Sequence, residues 1–217
     1  MTRIRTRLLS ALLTAALLLS SFSWASPARA AEGGAVTGSI SATVRIDYAQ
    51  RLDALRDRQV QAELLRGGKS VGALPLWEEN SQLTVGGYGA EVTLRNTDGG
   101  ELGGGQWPGY LDLTVKDLPQ GNYSLRFTGR GYVPCTVDLT LEDCARYAIL
   151  GTGDATFTLG DVDGSGQVDK ADREALAAAL GSTKAADLER YDLDGDGAID
   201  IVDLAYVDRQ LEAQGEA

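Results

Sequence analysis

The sequence predicts a multi-domain chain in which an all-β sandwich is followed by a small all-α module. Two observations carry this prediction. From about Ala35 to Ile149, apolar residues return at every second position in segment after segment; from Asp161 onward, an aspartate-rich loop followed by an apolar helical stripe occurs twice, 31 residues apart. Alternation at period 2 puts one set of side chains on one face of a strand, whereas a recurrence at three and four marks a helix. The expected divisions are a leader at 1–30, a β-region at 31–155 and a helical module at 156–217.

Arg3, Arg5 and Arg7 precede an apolar run from Leu8 to Leu19, and Ala28-Arg29-Ala30 supplies small residues two apart. This is the layout of a secretory signal peptide. A membrane anchor would need a longer apolar span of roughly 20 residues. The mature product is expected to be secreted, and extracellular or held at the cell surface through a scaffold.

The first strand is read from Ile40, Ala42, Val44, Ile46 and Tyr48. Gln50 to Arg58 suits a short helical turn, and Val60, Ala62 and Leu64 resume the alternation. It returns at Leu111, Leu113 and Val115, at Tyr123, Leu125 and Phe127, and at Cys135, Val137, Leu139 and Leu141. Gly67-Gly68, Gly86-Gly87, the stretch "NTDGGELGGGQWPG" and Gly121-Asn122 are turn or loop material between these runs. Several half-buried strands imply two packed sheets. Cys135 and Cys144 would lie roughly 30 Å apart on one straight strand. A disulfide therefore requires the chain to reverse between them, and a bridge and two separate thiols both stay open.

Charge narrows the function. The formal net charge is −11, and loss of the leader with its four arginines takes it to −15. From Asp161 to the end there are 15 acidic and 5 basic side chains. Such a field repels phosphate backbones and anionic membranes, which argues against nucleic acid as a partner. No stretch after the leader is apolar enough to span a bilayer. Histidine is absent, which excludes histidine triads and histidine-ligated zinc, and two cysteines are too few for thiolate clusters. Cations are the natural partner.

The spacing of the aspartates shows how a cation would be held. Counted from Asp161, oxygen-bearing side chains fall at the first, third, fifth, ninth and twelfth places: Asp161, Asp163, Ser165, Asp169 and Asp172. The second loop places Asp192, Asp194, Asp196, Asp200 and Asp203 at the same intervals. Gly166 and Gly197 occupy the sixth place, where an EF-hand calcium loop turns sharply, and Gln167 and Ala198 the seventh, where a backbone carbonyl is the ligand. Oxygen ligands in this array suit two Ca2+ ions better than Mg2+, which demands tighter octahedral geometry. Val168 and Ile199 are apolar at the eighth place, where paired loops meet. Ala175, Leu176, Ala179 and Leu180 then form a stripe ending at Gly181, and Leu204, Val207 and Leu211 one ending near Gly215. No helix is expected before the first loop, since "TGDATFTLG" reads as strand or coil. Each repeat is a loop followed by a helix, half of an ordinary EF-hand.

Over roughly residues 156–213 these features resemble the type I dockerin, a duplicated calcium-loop and helix module that plugs an exported protein into a cohesin domain. The resemblance implies two antiparallel helices, two calcium ions and a cohesin partner on a scaffold of the cellulosome kind. In many dockerins a Ser-Thr pair at the tenth and eleventh places contacts cohesin. Here Lys170-Ala171 and Ile201-Val202 occupy those places and differ from each other. Ile201 and Val202 are expected at the centre of the contact, with Asp208 and Arg209 further along the same helix, the alternative being that Val202 packs inside. "LPQGNYSLRFTGRGY", Leu118 to Tyr132, resembles the hairpin of prealbumin-like, immunoglobulin-type modules, which implies an immunoglobulin-like sandwich and transfers no activity.

The function expected is thus docking, linked to polysaccharide breakdown, with a non-catalytic β-region as cargo. Trp77, Trp107, Tyr88 and Tyr110 would either stack on the sugar rings of a polysaccharide or fill the core. The rival is a small glycosidase, which needs two carboxylates at a set separation. Glu78, Glu79, Glu91, Glu101 and Asp112 are present, and no motif singles any of them out.

Overall fold

Period-2 burial organises the N-terminal region. The structure is a computed structural model, and it describes residues 37–47, 52–77, 83–95, 109–142, 147–149 and 155–215. Along these run β1 (Thr37–Ile46), α1 (Leu52–Asp57), β2 (Gln61–Arg66), β3 (Lys69–Pro75), β4 (Leu83–Val85), β5 (Tyr88–Arg95), β6 (Gly109–Pro119) and β7 (Gly121–Thr128). There follow β8 (Gly131–Tyr132), β9 (Cys135–Leu141), β10 (Tyr147–Ile149), β11 (Thr156–Phe157), β12 (Leu159–Asp161), α2 (Lys170–Ala179), α3 (Ala185–Tyr191) and α4 (Ile201–Gln214).

One sheet has the order β10-β1-β6-β5-β4, with β11 also pairing β1; the other has the order β3-β2-β7-β9. Their alternate residues are buried: Ile40, Ala42, Val44 and Ile46 from β1, Leu111, Leu113 and Val115 from β6, Leu125 and Phe127 from β7, Val137, Leu139 and Leu141 from β9. All belong to one apolar cluster. Each large aliphatic or aromatic side chain removed from water contributes about 1.5–3 kcal/mol, which is why the alternation dictates the sheets. Gly67 and Gly68, both at positive φ (56° and 76°), form the two-residue turn between β2 and β3 that matches the twist of the strands. The expected helical turn is α1.

The helical module grows out of this core. Strand β11 runs parallel to β1, and β12 pairs antiparallel with β8. Phe157 is fully buried, stacked on Tyr132 at 4.2 Å and tilted against Phe127 at 6.5 Å. Helix α2 packs on α4, and Leu176, Ala179, Val207 and Leu211 are buried beside Leu159, Val162 and Leu193. The described residues from 37 onward belong to one compact unit.

Several expectations need correction. The segment after 155 is not all-helical, because "TGDATFTLG" supplies β11 and β12 as partners for β1 and β8. It also carries a third helix, α3, which buries no residue and so lacks the apolar stripe that would have marked it. Leu180 does not continue the α2 stripe: its backbone is extended (φ −51°, ψ 130°) and its side chain is 44% exposed. Gly121-Asn122 opens β7, and the chain bends at Gln120. The leader, Tyr48, Trp107 and Cys144 lie outside the described residues, and with Cys144 the question of a bridge to half-buried Cys135. Among the described residues no helix is long and apolar enough to cross a membrane.

Candidate metal centre

Both aspartate loops are built from one set of backbone-to-carboxylate hydrogen bonds, repeated at the 31-residue offset. Asp161 accepts from the N–H groups of Gly164 (2.8 Å) and Gly166 (2.9 Å), and Asp192 from those of Gly195 (2.7 Å) and Gly197 (2.9 Å). Gly166 and Gly197 stand at φ +88° and +92°, a left-handed conformation that L side chains rarely adopt, so the sixth place requires glycine. At the ninth place Asp169 and Asp200 cap α2 and α4, each accepting from an N–H two residues on at 2.7 Å. The twelfth-place aspartates complete a capping box, their carboxylates receiving the cap residue's own N–H at 2.8 Å.

Asp172 and Asp203 are also the most buried acids of the module, at 0% and 1% exposure. Asp172 accepts from the N–H groups of Val162, Asp163 and Asp169, and Asp203 from those of Leu193, Asp194 and Asp200. A carboxylate has about four acceptor sites, so each retains one for a cation. Carboxylate oxygens of Asp161, Asp163 and Asp172 lie within 4.8 Å of one another, as do those of Asp192, Asp194 and Asp196. These two groups are the carboxylates the structure gathers. Asp169 and Asp200 serve as caps, and Ser165 donates its hydroxyl to the Gln167 carbonyl at 3.3 Å. Val168 and Ile199 are buried, as apolar eighth-place residues require.

Crowding shows in the acidities. Burial, more than any neighbour, raises the carboxyls of Asp172 and Asp203 above the usual range. Asp194 is pushed up to about 6, first by withdrawal from water and then by Asp203, Asp196 and Asp192. Asp163 moves the other way, held low by the N–H of Ser165. A set of hard oxygen donors, strained by its own charge, fits a hard divalent cation, which would remove both the repulsion and the desolvation cost.

Residues 159–212 match the type I dockerin domain family. The C-terminal segment is a type I dockerin domain. Domains of this family are calcium-binding, in keeping with the two acidic groups. No curated protein matches the chain. Among solved structures, two chains from type II cohesin-X-dockerin complexes of Acetivibrio cellulolyticus are similar, one from an N-terminal and one from a C-terminal interface mutant. They are 18% and 14% identical, with TM-scores of 0.44 and 0.45, each match covering 79% of this chain and 94% of the solved one.

On the dockerin surface Ile201 is 76% exposed and Val202 44%. Lys170 and Ala171 are exposed at the equivalent place of the first repeat. Asp208 bonds Arg173 at 2.6 Å, tying α4 to α2, and Arg209 is exposed. Leu180 joins Ile201 and Val202 as the third exposed large apolar residue among those described. The next residue, Gly181, donates its N–H to the Ile199 carbonyl at 2.8 Å, which brings the end of α2 beside the start of α4.

In the β-region Trp77 and Tyr88 are half-buried and packed against the core. Asp112 accepts from the Thr43 hydroxyl at 2.6 Å, and Glu91 pairs with Lys116 at 2.7 Å. Glu78, Glu79 and Glu101 lie outside the described residues. Sequence reasoning missed the polar junction between the β-region and the dockerin. Arg58 donates to the Asp192 carbonyl, Arg130 pairs with Glu189, Gln210 donates to Asp47 at 3.0 Å, and the Tyr132 hydroxyl donates to the Asp47 carbonyl at 3.0 Å. Arg58, Asp47, Glu189 and Gln210 sit in no motif, and no periodicity marks them.

Proposed function

We propose that the chain is an exported docking protein whose two EF-hand-like loops each hold one calcium ion and whose helices present an apolar contact to a cohesin domain on a scaffold. The observation that carries the reading is the repetition of a carboxylate-lined loop whose first, ninth and twelfth aspartates accept the same backbone hydrogen bonds and which is closed by a capping box. Asp161, Asp163 and Asp172 hold one ion and Asp192, Asp194 and Asp196 the other. Ser165, Gln167 and Asp169, with Ala198, Asp200 and Asp203, complete the two sets directly or through the backbone. Calcium supplies charge neutralisation, and with it the free energy that fixes the loops onto their helices.

The contact centres on Ile201 and Val202, whose exposure favours docking over internal packing, and Asp208 and Arg209 extend it along α4. Lys170 and Ala171 offer a different chemistry at the equivalent place, so the chain docks in a single orientation. The β-region is an immunoglobulin-like, non-catalytic cargo. The packing of Trp77 and Tyr88 against the core supports a structural role for these two rings over sugar stacking.

The test is Ile201→Asp assayed against a panel of immobilised type I cohesins in calcium. An exposed side chain contributes little to folding, so the thermal midpoint should hold while cohesin affinity falls at least about tenfold, as expected for a central apolar anchor. Binding equal to that of the unsubstituted chain contradicts the contact.

A further inference from the structure

We infer that Arg58, a residue of the β-region, is a positioning residue for the second calcium loop, an inference that rests on the reading that this loop holds a cation. Arg58 follows α1 and is only 9% exposed. One end of its guanidinium donates to the backbone carbonyl of Asp192, and Nη1 donates to the carbonyl of Arg130 at 3.3 Å. The two carbonyls belong to the two parts of the chain, so the side chain bridges them.

Asp192 is where the loop begins. Its N–H bonds the Leu188 carbonyl at 3.1 Å and closes the last turn of α3, while its carboxylate receives Gly195 and Gly197. Holding its carbonyl fixes the peptide from which the first ligand projects. The first loop has a different anchor: Asp161 pairs with Gly131 in the β12–β8 ladder, and Arg190 of α3 donates Nε to the Val162 carbonyl at 2.5 Å. Strand pairing thus ties loop 1 to the β-region, and Arg58 ties loop 2.

A buried cation beside a calcium site acts in two opposing ways. Its charge repels the ion, and its hydrogen bonds hold the frame that receives it. Here the acceptors are backbone carbonyls gripped by a rigid fork, a geometry suited to holding a frame. Groups that orient metal ligands from outside the coordination sphere typically change affinity by about 10- to 100-fold when removed.

The Gly166 and Gly197 amides, each bonded to its own loop's first aspartate, report the two sites separately in a 15N-resolved NMR titration with calcium chloride. In Arg58→Gln the Gly197 transition should move to about tenfold higher free calcium, at the low end of that range, with the Gly166 transition unchanged. Arg58→Lys keeps the charge and loses the fork, and its Gly197 transition should also weaken. The inference is overturned if Gly197 titrates as in the unsubstituted chain, if it tightens as a pure charge effect requires, or if both sites weaken equally as general destabilisation would cause. Should Arg58→Gln fail to fold, Arg58→Lys decides, and full retention of loop 2 affinity overturns the inference. A Gly197 amide that does not respond to calcium in the unsubstituted chain overturns the calcium reading itself.

Discussion

Phe157→Ala probes how the β-region and the dockerin share one core. The side chain is fully buried in β11, its ring 4.2 Å from that of Tyr132 at an interplanar angle of 5°, and 6.5 Å from Phe127. Truncating a buried phenylalanine to alanine costs about 3–5 kcal/mol, and an aromatic pair contributes about 0.5–1.5 kcal/mol beyond its area. The variant should therefore lose about 3–5 kcal/mol, with the ring pair placing it toward the upper end. Phe157→Leu retains most of the volume and forfeits the ring pair, so its cost should be about 1–2 kcal/mol. Urea unfolding in saturating calcium would be followed by near-ultraviolet tyrosine dichroism for the sheets and by 222 nm dichroism for the helices. In the unsubstituted chain the two curves should coincide, and in each variant they should shift together. Separate transitions, or a helical curve that ignores Phe157→Ala, would refute a shared core.

Two further predictions concern the loops. Chelation should remove much of the 222 nm helical signal, and excess calcium should restore it, because without the ion the gathered carboxylates repel one another and resist burial; identical spectra with and without chelator would count against this. Acidification should act oppositely on the two metal states. The Asp194 carboxyl is raised to about 6 in the metal-free fold, so its contribution to stability is complete below the unfolded value near 3.9 and is lost as pH rises through about 6. Metal-free chain should thus gain stability from pH 7 to pH 5. The calcium-loaded chain should lose it over the same window, as protons compete for the ligands, and parallel thermal midpoints in the two states would contradict the assignment.

Much of the fold was legible because burial has a period. The alternation at Ile40 to Ile46 and at Tyr123 to Phe127 reads as strands, since one face of each enters the core. The loops were legible through their glycines as much as their aspartates, because a φ near +90° at Gly166 and Gly197 admits few other residues. Helix α3 was not legible: Leu188 and Tyr191 are only half-buried, and with no buried face there is no stripe to read. The roles of Asp169, Asp172, Asp200 and Asp203 as helix caps were hidden by their place in the cation spacing, where one carboxylate serves two structures. Arg58 reaches Asp192, and Gln210 reaches Asp47, each across more than a hundred residues of chain, and nothing local to Arg58, Asp47 or Gln210 announces the junction.

The paired loops are built to take up metal. Isothermal titration of the whole chain with calcium chloride, after chelator treatment, should register two equivalents per chain. Removing one carboxylate from each gathered group, as in Asp163→Ala and Asp194→Ala, should abolish one equivalent apiece. Absence of calcium-dependent heat from the unsubstituted chain, or uptake that survives both substitutions together, would contradict it.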